Sequence, residues 1–214
     1  MTSSFTVYLA RHGETEYNRK RLMQGRSIDA PLNERGIRQA EALAKRMVPV
    51  QLDTVYASAL LRARQTAERV VGGRGLNVTT LPDLAEMSWG SLEGRPISEL
   101  RAHLREVGAD WRAGHFDFAV GGGESILDVQ NRAQSVLDHL MNTHSAGQNI
   151  MVVTHGRFLR VLLATALPET GLTRMDDFPH ANCGLYRMEG LRDGTFTLTL
   201  RNETGHLEHL SDAA

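Results

Sequence analysis

Residues 149–154 read NIMVVT, apolar almost throughout. Such a strand has no face to show to water, so it belongs at the centre of a sheet covered on both sides, the usual setting of a parallel β-sheet. It runs straight into HGRFLRVLLATAL, whose apolar spacing is helical. The same order recurs upstream. FTVYLA (5–10) reads as a strand, and PLNERGIRQAEALAKRM as a helix with Asn33 as N-cap and Ile37, Ala40, Ala44 and Met47 on its apolar face. LDTVYAS is followed at once by ALLRARQTAERVV, with Leu60, Ala63, Ala67, Val70 and Val71 inward. After Gly72, Gly73 and Gly75, NVTTL is a third candidate strand. From Glu124 a long helix carries Ile126, Val129, Ala133, Val136, Leu137 and Leu140 on one face, and CGLYRM and TFTLTLRN close the chain as strands. Alternation of this kind predicts an α/β sandwich with a largely parallel sheet.

The 214 residues suit one domain, 1–214. Residues 86–123 are irregular and read as an insertion or substrate cap, with Pro96 opening a helix through ISELRAHLREV; Trp111, Phe116 and Phe118 follow without clear period. A net charge of −1 gives no global field for nucleic acid or an anionic membrane. The single cysteine, Cys183, excludes an intramolecular disulfide and a cysteine-rich zinc site, and reads as a small buried residue. No basic-then-apolar leader is visible, and no run of about 18 apolar residues exists to span a bilayer. A cytoplasmic setting is therefore expected.

Ligands of open α/β sheets sit beyond the carboxyl ends of the strands. Those positions hold Arg11, His12 and Gly13, then Ser58 to Arg62, then His155 and Gly156. The set suits phosphoryl transfer. A phosphomonoester is a dianion at neutral pH, and arginine meets it with a planar fork of donors. Arg11 and Arg62 come from different strand ends and can grip different oxygens, helped by backbone N–H groups at the helix starts after Ser58 and His155. His12 offers a neutral nitrogen that can attack phosphorus, Gly13 leaves room for the phosphate to approach, and His155 can stabilise the transferring group. The leaving alkoxide needs a proton, for which Glu86 and Glu93 both qualify.

These residues resemble the histidine phosphatase superfamily, also called phosphoglycerate mutase-like. LARHGETEYN matches its Arg-His-Gly signature, including Glu14, Thr15 and Asn18. MQGRSIDAPLNERGIRQAEALA is similar to the next segment and places Gln24 and Gly25 near the phosphate. YASALLRARQTAERV matches the segment of the second arginine at Arg62, LAEMSWGSLEG the acid-bearing segment with Glu86 favoured over Glu93, and GGGES and VVTHG two later blocks, the last with His155. The resemblance implies a three-layer α/β/α sandwich with a mixed, mostly parallel six-stranded sheet containing one antiparallel strand, a phosphohistidine on His12, and no metal or other cofactor. Gly156 and Asn182 join Asn18, Gln24, Gly25 and Thr15 as candidate substrate contacts. The basic Leu-Asn-Lys stretch of the mutases is replaced by SWGSLEGRPISEL. That favours a phosphatase resembling the broad-specificity or alpha-ribazole branches. The alternatives are a primed phosphoglycerate mutase, a phospho-ligand binding module that has lost catalysis, and, more remotely, a metal-dependent hydrolase. The expected partner is a small phosphorylated metabolite, with no nucleic acid, no membrane, and a homodimer left open. His115, His139, His144 and His209 read as surface residues, and His180 and His206 have no assigned role.

Overall fold

The computed structural model describes residues 4–191 and 193–210. Six strands, β1 (Ser4–Arg11), β2 (Thr54–Ala57), β3 (Val78–Thr80), β4 (Asn149–Thr154), β5 (Leu185–Leu191) and β6 (Phe196–Glu203), form one sheet in the order β3-β2-β4-β1-β5-β6. β1 pairs in parallel with β4, Thr6 opposite Asn149, and β4 with β2, while β5 runs antiparallel to both β1 and β6. The expected mixed sheet with one reversed strand is therefore present.

Side chains alternate across the central strands. Phe5, Val7 and Leu9 of β1 and Ile150 and Val152 of β4 enter one buried cluster with α5 (Ile126–Thr143) and α6 (Gly156–Ala166). Tyr8, Ala10, Met151 and Val153 enter a second, with α2 (Glu34–Met47) and α3 (Leu61–Val71). Helices on both faces explain why NIMVVT is apolar throughout. Among the described residues no helix is long and apolar enough to cross a membrane.

Asn33 caps α2 as expected, its side chain accepting from Gly36 N at 2.8 Å. The buried face of that helix is rotated slightly from the expected one: Gly36, Gln39, Ala40, Leu43 and Met47 are buried, and Ile37 and Ala44 lie half-buried at its margin. Gly36, on that buried face, sits directly against the first loop beside the Glu14 carbonyl. The stretch 86–123 is more ordered than its sequence suggests. It holds two 3-10 turns and α4 (Ile97–Arg112), and Trp89, Leu92, Leu100, Val107 and Trp111 are buried in the first cluster. Phe116 and Phe118 pack against that cluster too, so packing accounts for them. His139 and His144 are not simple surface residues: both rings approach the Tyr56 hydroxyl, at 3.3 and 3.1 Å, and tie the end of α5 to β2.

Candidate active site

Beyond Arg11 the chain turns at His12, whose backbone N–H still donates to Thr154 O at 2.9 Å. The imidazole is buried, and its Nδ1 lies 2.6 Å from the Gly13 carbonyl. A carbonyl oxygen only accepts, so Nδ1 carries the proton and Nε2 keeps its lone pair. Burial first, then the Arg62 and Arg11 cations, hold the ring's pKa well below the ordinary histidine value. At neutral pH His12 is therefore an uncharged imidazole with Nε2 free of a proton.

Arg62 stands in the first turn of α3 and is completely buried. It donates from Nη1 to Ile28 O at 2.6 Å and from Nη2 to Gly25 O at 3.2 Å. Burial pushes its pKa down to about 10, against the pull of Glu86 and Asp29, which leaves it a cation at neutral pH. Arg11 donates from Nη1 to the His180 carbonyl at 2.9 Å. His155, buried at the N-cap of α6, sets its ring 5.1 Å from that of His12 between centroids. Burial, then Arg62, His12 and Arg11, keep it neutral too. Desolvated polar groups without partners are costly, and folded proteins hold few of them. Here five such atoms meet in one place: Arg11 Nε, Arg62 Nε, Gln24 Nε2 and both ring nitrogens of His155 are buried without a hydrogen bond. Mostly donors and partly cationic, they suit a compact anion rich in acceptor oxygens.

Glu86 lies at the same site, 7% exposed. Its Oε1 accepts from Met87 N at 2.9 Å and Phe158 N at 3.0 Å, and its Oε2 from Arg157 N at 3.2 Å. Glu93 is engaged elsewhere: it accepts from Trp89 N at 3.0 Å and from the N–H and hydroxyl of Ser27. Geometry thus separates two carboxylates that residue type alone leaves equal. It also corrects the role expected of the helix starts. The first-turn N–H groups of Arg157 and Phe158 in α6 go to Glu86, and Leu61 N of α3 goes to Asp29 Oδ1 at 2.5 Å. Both helix ends are capped by the protein's own carboxylates, so the charge available to an anion comes chiefly from side chains.

A cleft of about 150 Å³ opens here, lined in part by Arg11, Asn18, Gln24, Glu86, Gly156 and His180. Asn18 and Gln24 both line it. Thr15 and Gly25 stand behind: Thr15 donates from Oγ1 to Gln24 Oε1 at 2.9 Å, and Gly25 supplies its carbonyl to Arg62. Asn182 is not on the cleft wall; it braces the loop by donating to His12 O at 2.9 Å. A β-carbon on Gly156 would fall 2.6 Å from the His180 ring, which would have to move to admit it. His206 contacts Glu203 and the Cys183 carbonyl and lies away from the cleft, while burial pushes the Cys183 thiol pKa up. Sequence reasoning missed Arg157 and Arg160, which also line the cleft. Their signal was present, two arginines three apart on the helix that follows the second histidine.

Residues 7–204 match the family model of the histidine phosphatase superfamily (branch 1). A probable phosphoglycerate mutase GpmB of Yersinia pestis is 37% identical over 161 residues, 75% of this chain and 74% of that protein. Among solved structures, the phosphoserine phosphatase of Entamoeba histolytica in complex with 3-phosphoglyceric acid has a TM-score of 0.79 at 28% identity, covering 95% of this chain and 99% of that one. A putative alpha-ribazole-5'-P phosphatase of Escherichia coli has a TM-score of 0.79 at 30% identity, covering 93% and 96%. With its sheet, its paired histidines and arginines and this likeness along nearly its whole length, the chain belongs to the histidine phosphatase superfamily.

Proposed function

We propose that this protein hydrolyses small phosphomonoesters through a phosphohistidine formed on Nε2 of His12. The observation that carries the reading is the convergence of five unpartnered buried polar atoms around an imidazole whose tautomer leaves that nitrogen free. Arg11, Arg62 and His155 hold the non-bridging oxygens and offset the charge that develops in transfer. The Nε2 lone pair forms the N–P bond as the ester P–O bond breaks, and the departing oxygen takes the proton of the Glu86 carboxyl. In the second half Glu86 recovers a proton from water as its oxygen attacks phosphorus, the N–P bond breaks, and phosphate leaves. Two fixed guanidinium groups supply the charge that a divalent ion would otherwise bring, so the route runs without one.

A second reading is a mutase, supported by the likeness to a probable phosphoglycerate mutase. It shares the first half and differs in returning the phosphoryl group to an organic hydroxyl rather than to water. Incubation with 3-phosphoglycerate and a bisphosphoglycerate primer in EDTA separates the two. Free phosphate appearing faster than isomer is the expected result; isomer appearing first favours the mutase. His12→Ala is expected to lose all turnover and to trap no acid-quenched phosphoenzyme. Hydrolysis by that variant near the wild-type rate would exclude the mechanism.

A further inference from the structure

Two arginines that the phosphoryl chemistry does not use face the same cleft. Arg157 and Arg160 stand on α6, and each donates from Nη1 to a single oxygen, Asp176 Oδ1, at 2.7 and 2.8 Å. Arg157 sits over two indoles, its guanidinium carbon 4.7 Å from the Trp111 ring centroid and 5.8 Å from that of Trp89. Arg160 is fixed by a second bond, Nε to Phe178 O at 2.8 Å. Their side chains are only 14% and 17% exposed. Two guanidinium groups against one carboxylate leave a net positive charge on this wall. Arg112, reaching the field of Asp176 from α4, adds to it. The neighbouring His180 adds none, because burial and then Arg11, Arg160 and Arg157 push its pKa down to about 3. Arg157 Nε and Nη2 and Arg160 Nη2 make no hydrogen bond within the described residues and are not among the buried unpartnered atoms, so they remain open to a ligand.

We infer that Arg157 and Arg160 form a subsite for a second acidic group on the substrate, a carboxylate a few atoms from the phosphate, with Asp176 aligning the two arginines. The inference rests on the reading of His12, Arg11, Arg62 and His155 as the phosphate site. Arg157 and Arg160, which line the cleft, exceed the Asp176 they share by one positive charge, which a monoanion balances; Arg112 is not among the cleft-lining residues. Arg11 lines the same cleft as Arg157 and Arg160, so the carbon skeleton between the two anions is short. Leu22, Trp89 and Ile97 give that skeleton an apolar wall. Guanidinium groups fixed by ring contacts and a shared carboxylate lose little freedom on binding, and their planar forks suit a carboxylate.

3-Phosphoglycerate and glycerol 3-phosphate test it, being the same size and differing by a carboxylate against a hydroxymethyl group. Calorimetric titration into His12→Ala measures binding without turnover. The carboxylated ester is expected to bind at least ten-fold tighter. Adding Arg157→Gln or Arg160→Gln is expected to bring that ratio within about two-fold. Adding Asp176→Asn, whose amide oxygen can still accept from both arginines and keep them aligned but no longer offsets their charge, is expected to raise it several-fold, a gain that a merely structural salt bridge would not produce. Equal binding of the two esters to His12→Ala, or a ratio lowered by Asp176→Asn, overturns the subsite. Wild-type phosphate release from the same esters judges the phosphatase reading separately. Selective binding with no release removes hydrolysis and keeps the subsite; release of both without selective binding does the reverse.

Discussion

Gly36 lies so near Glu14 that a β-carbon on it would fall 2.0 Å from the Glu14 carbonyl oxygen, and one on Gly13 would fall 2.4 Å from the Gly36 oxygen. Two glycines therefore let α2 press directly on the loop that carries His12. From sequence, Gly13 looked like room for an approaching phosphate; the neighbour it admits is a helix. The nature of His12, Arg11, Arg62 and His155 was legible because each stands just past a strand or in the first turn of a helix. What the two arginines touch was not, since their partners, His180 for Arg11 and Ile28 and Gly25 for Arg62, are remote in the chain. Three of the site's imidazoles, His12, His155 and His180, have pKa values below the ordinary one. The unfolded chain takes up protons on them as pH falls through about 6.5, while the folded chain does not. Their neutral burial thus costs nothing above that pH and lowers stability progressively below it. Urea unfolding is expected to show a midpoint that falls steadily between pH 7 and 5, with a shallower fall in His180→Asn.

The acid-bearing loop is tied to a helix as well as to the sheet, where Thr154 Oγ1 donates to Leu84 O at 2.7 Å. Arg132, on α5, donates from Nη1 to Asp83 O at 2.7 Å and Ala85 O at 2.9 Å, while its Nε and Nη2 meet Glu124 at 2.9 and 3.0 Å. Glu124 Oε2 in turn accepts from Ser88 N at 2.7 Å, so both flanks of Glu86 are anchored to one guanidinium. Displacements of an ångström at a reacting group cost about 100-fold in rate. Arg132→Met is accordingly expected to lower kcat by roughly 10- to 100-fold with a smaller change in KM, because Arg11 and Arg62, the proposed phosphate clamp, keep their own anchors. A steady-state assay that found KM raised and kcat kept would contradict this. The strands and the long helices were readable because their apolar periods persist over several turns or alternations. The stretch 86–123 was not, because its short turns interlock through glycines: a β-carbon on Gly90, at φ +54°, would fall 2.1 Å from the Gly121 oxygen. Such a fit leaves no periodic trace.

Across the whole molecule, the site lies where β1 and β4 end side by side, with β2 and its helix on one flank and the reversed β5 on the other. The reversal brings His180 to the cleft and Asp176 to the arginines beside it, and neither has a role visible in the sequence because their position follows from strand direction, not from a local pattern. Because both neighbours of β1 come late in the chain, the contacts that complete the site are the most non-local ones, the class that forms slowly. On dilution from urea, phosphate release is expected to recover with the slowest phase, after most of the helical circular dichroism has returned. During synthesis the same pairing order has a practical outcome. The segment with His12 leaves the ribosome long before either strand that will flank it, and stays without a dock until residues 149–154 have followed. A nascent fragment stopped short of that point carries His12 and Arg11 without the strands that seat them.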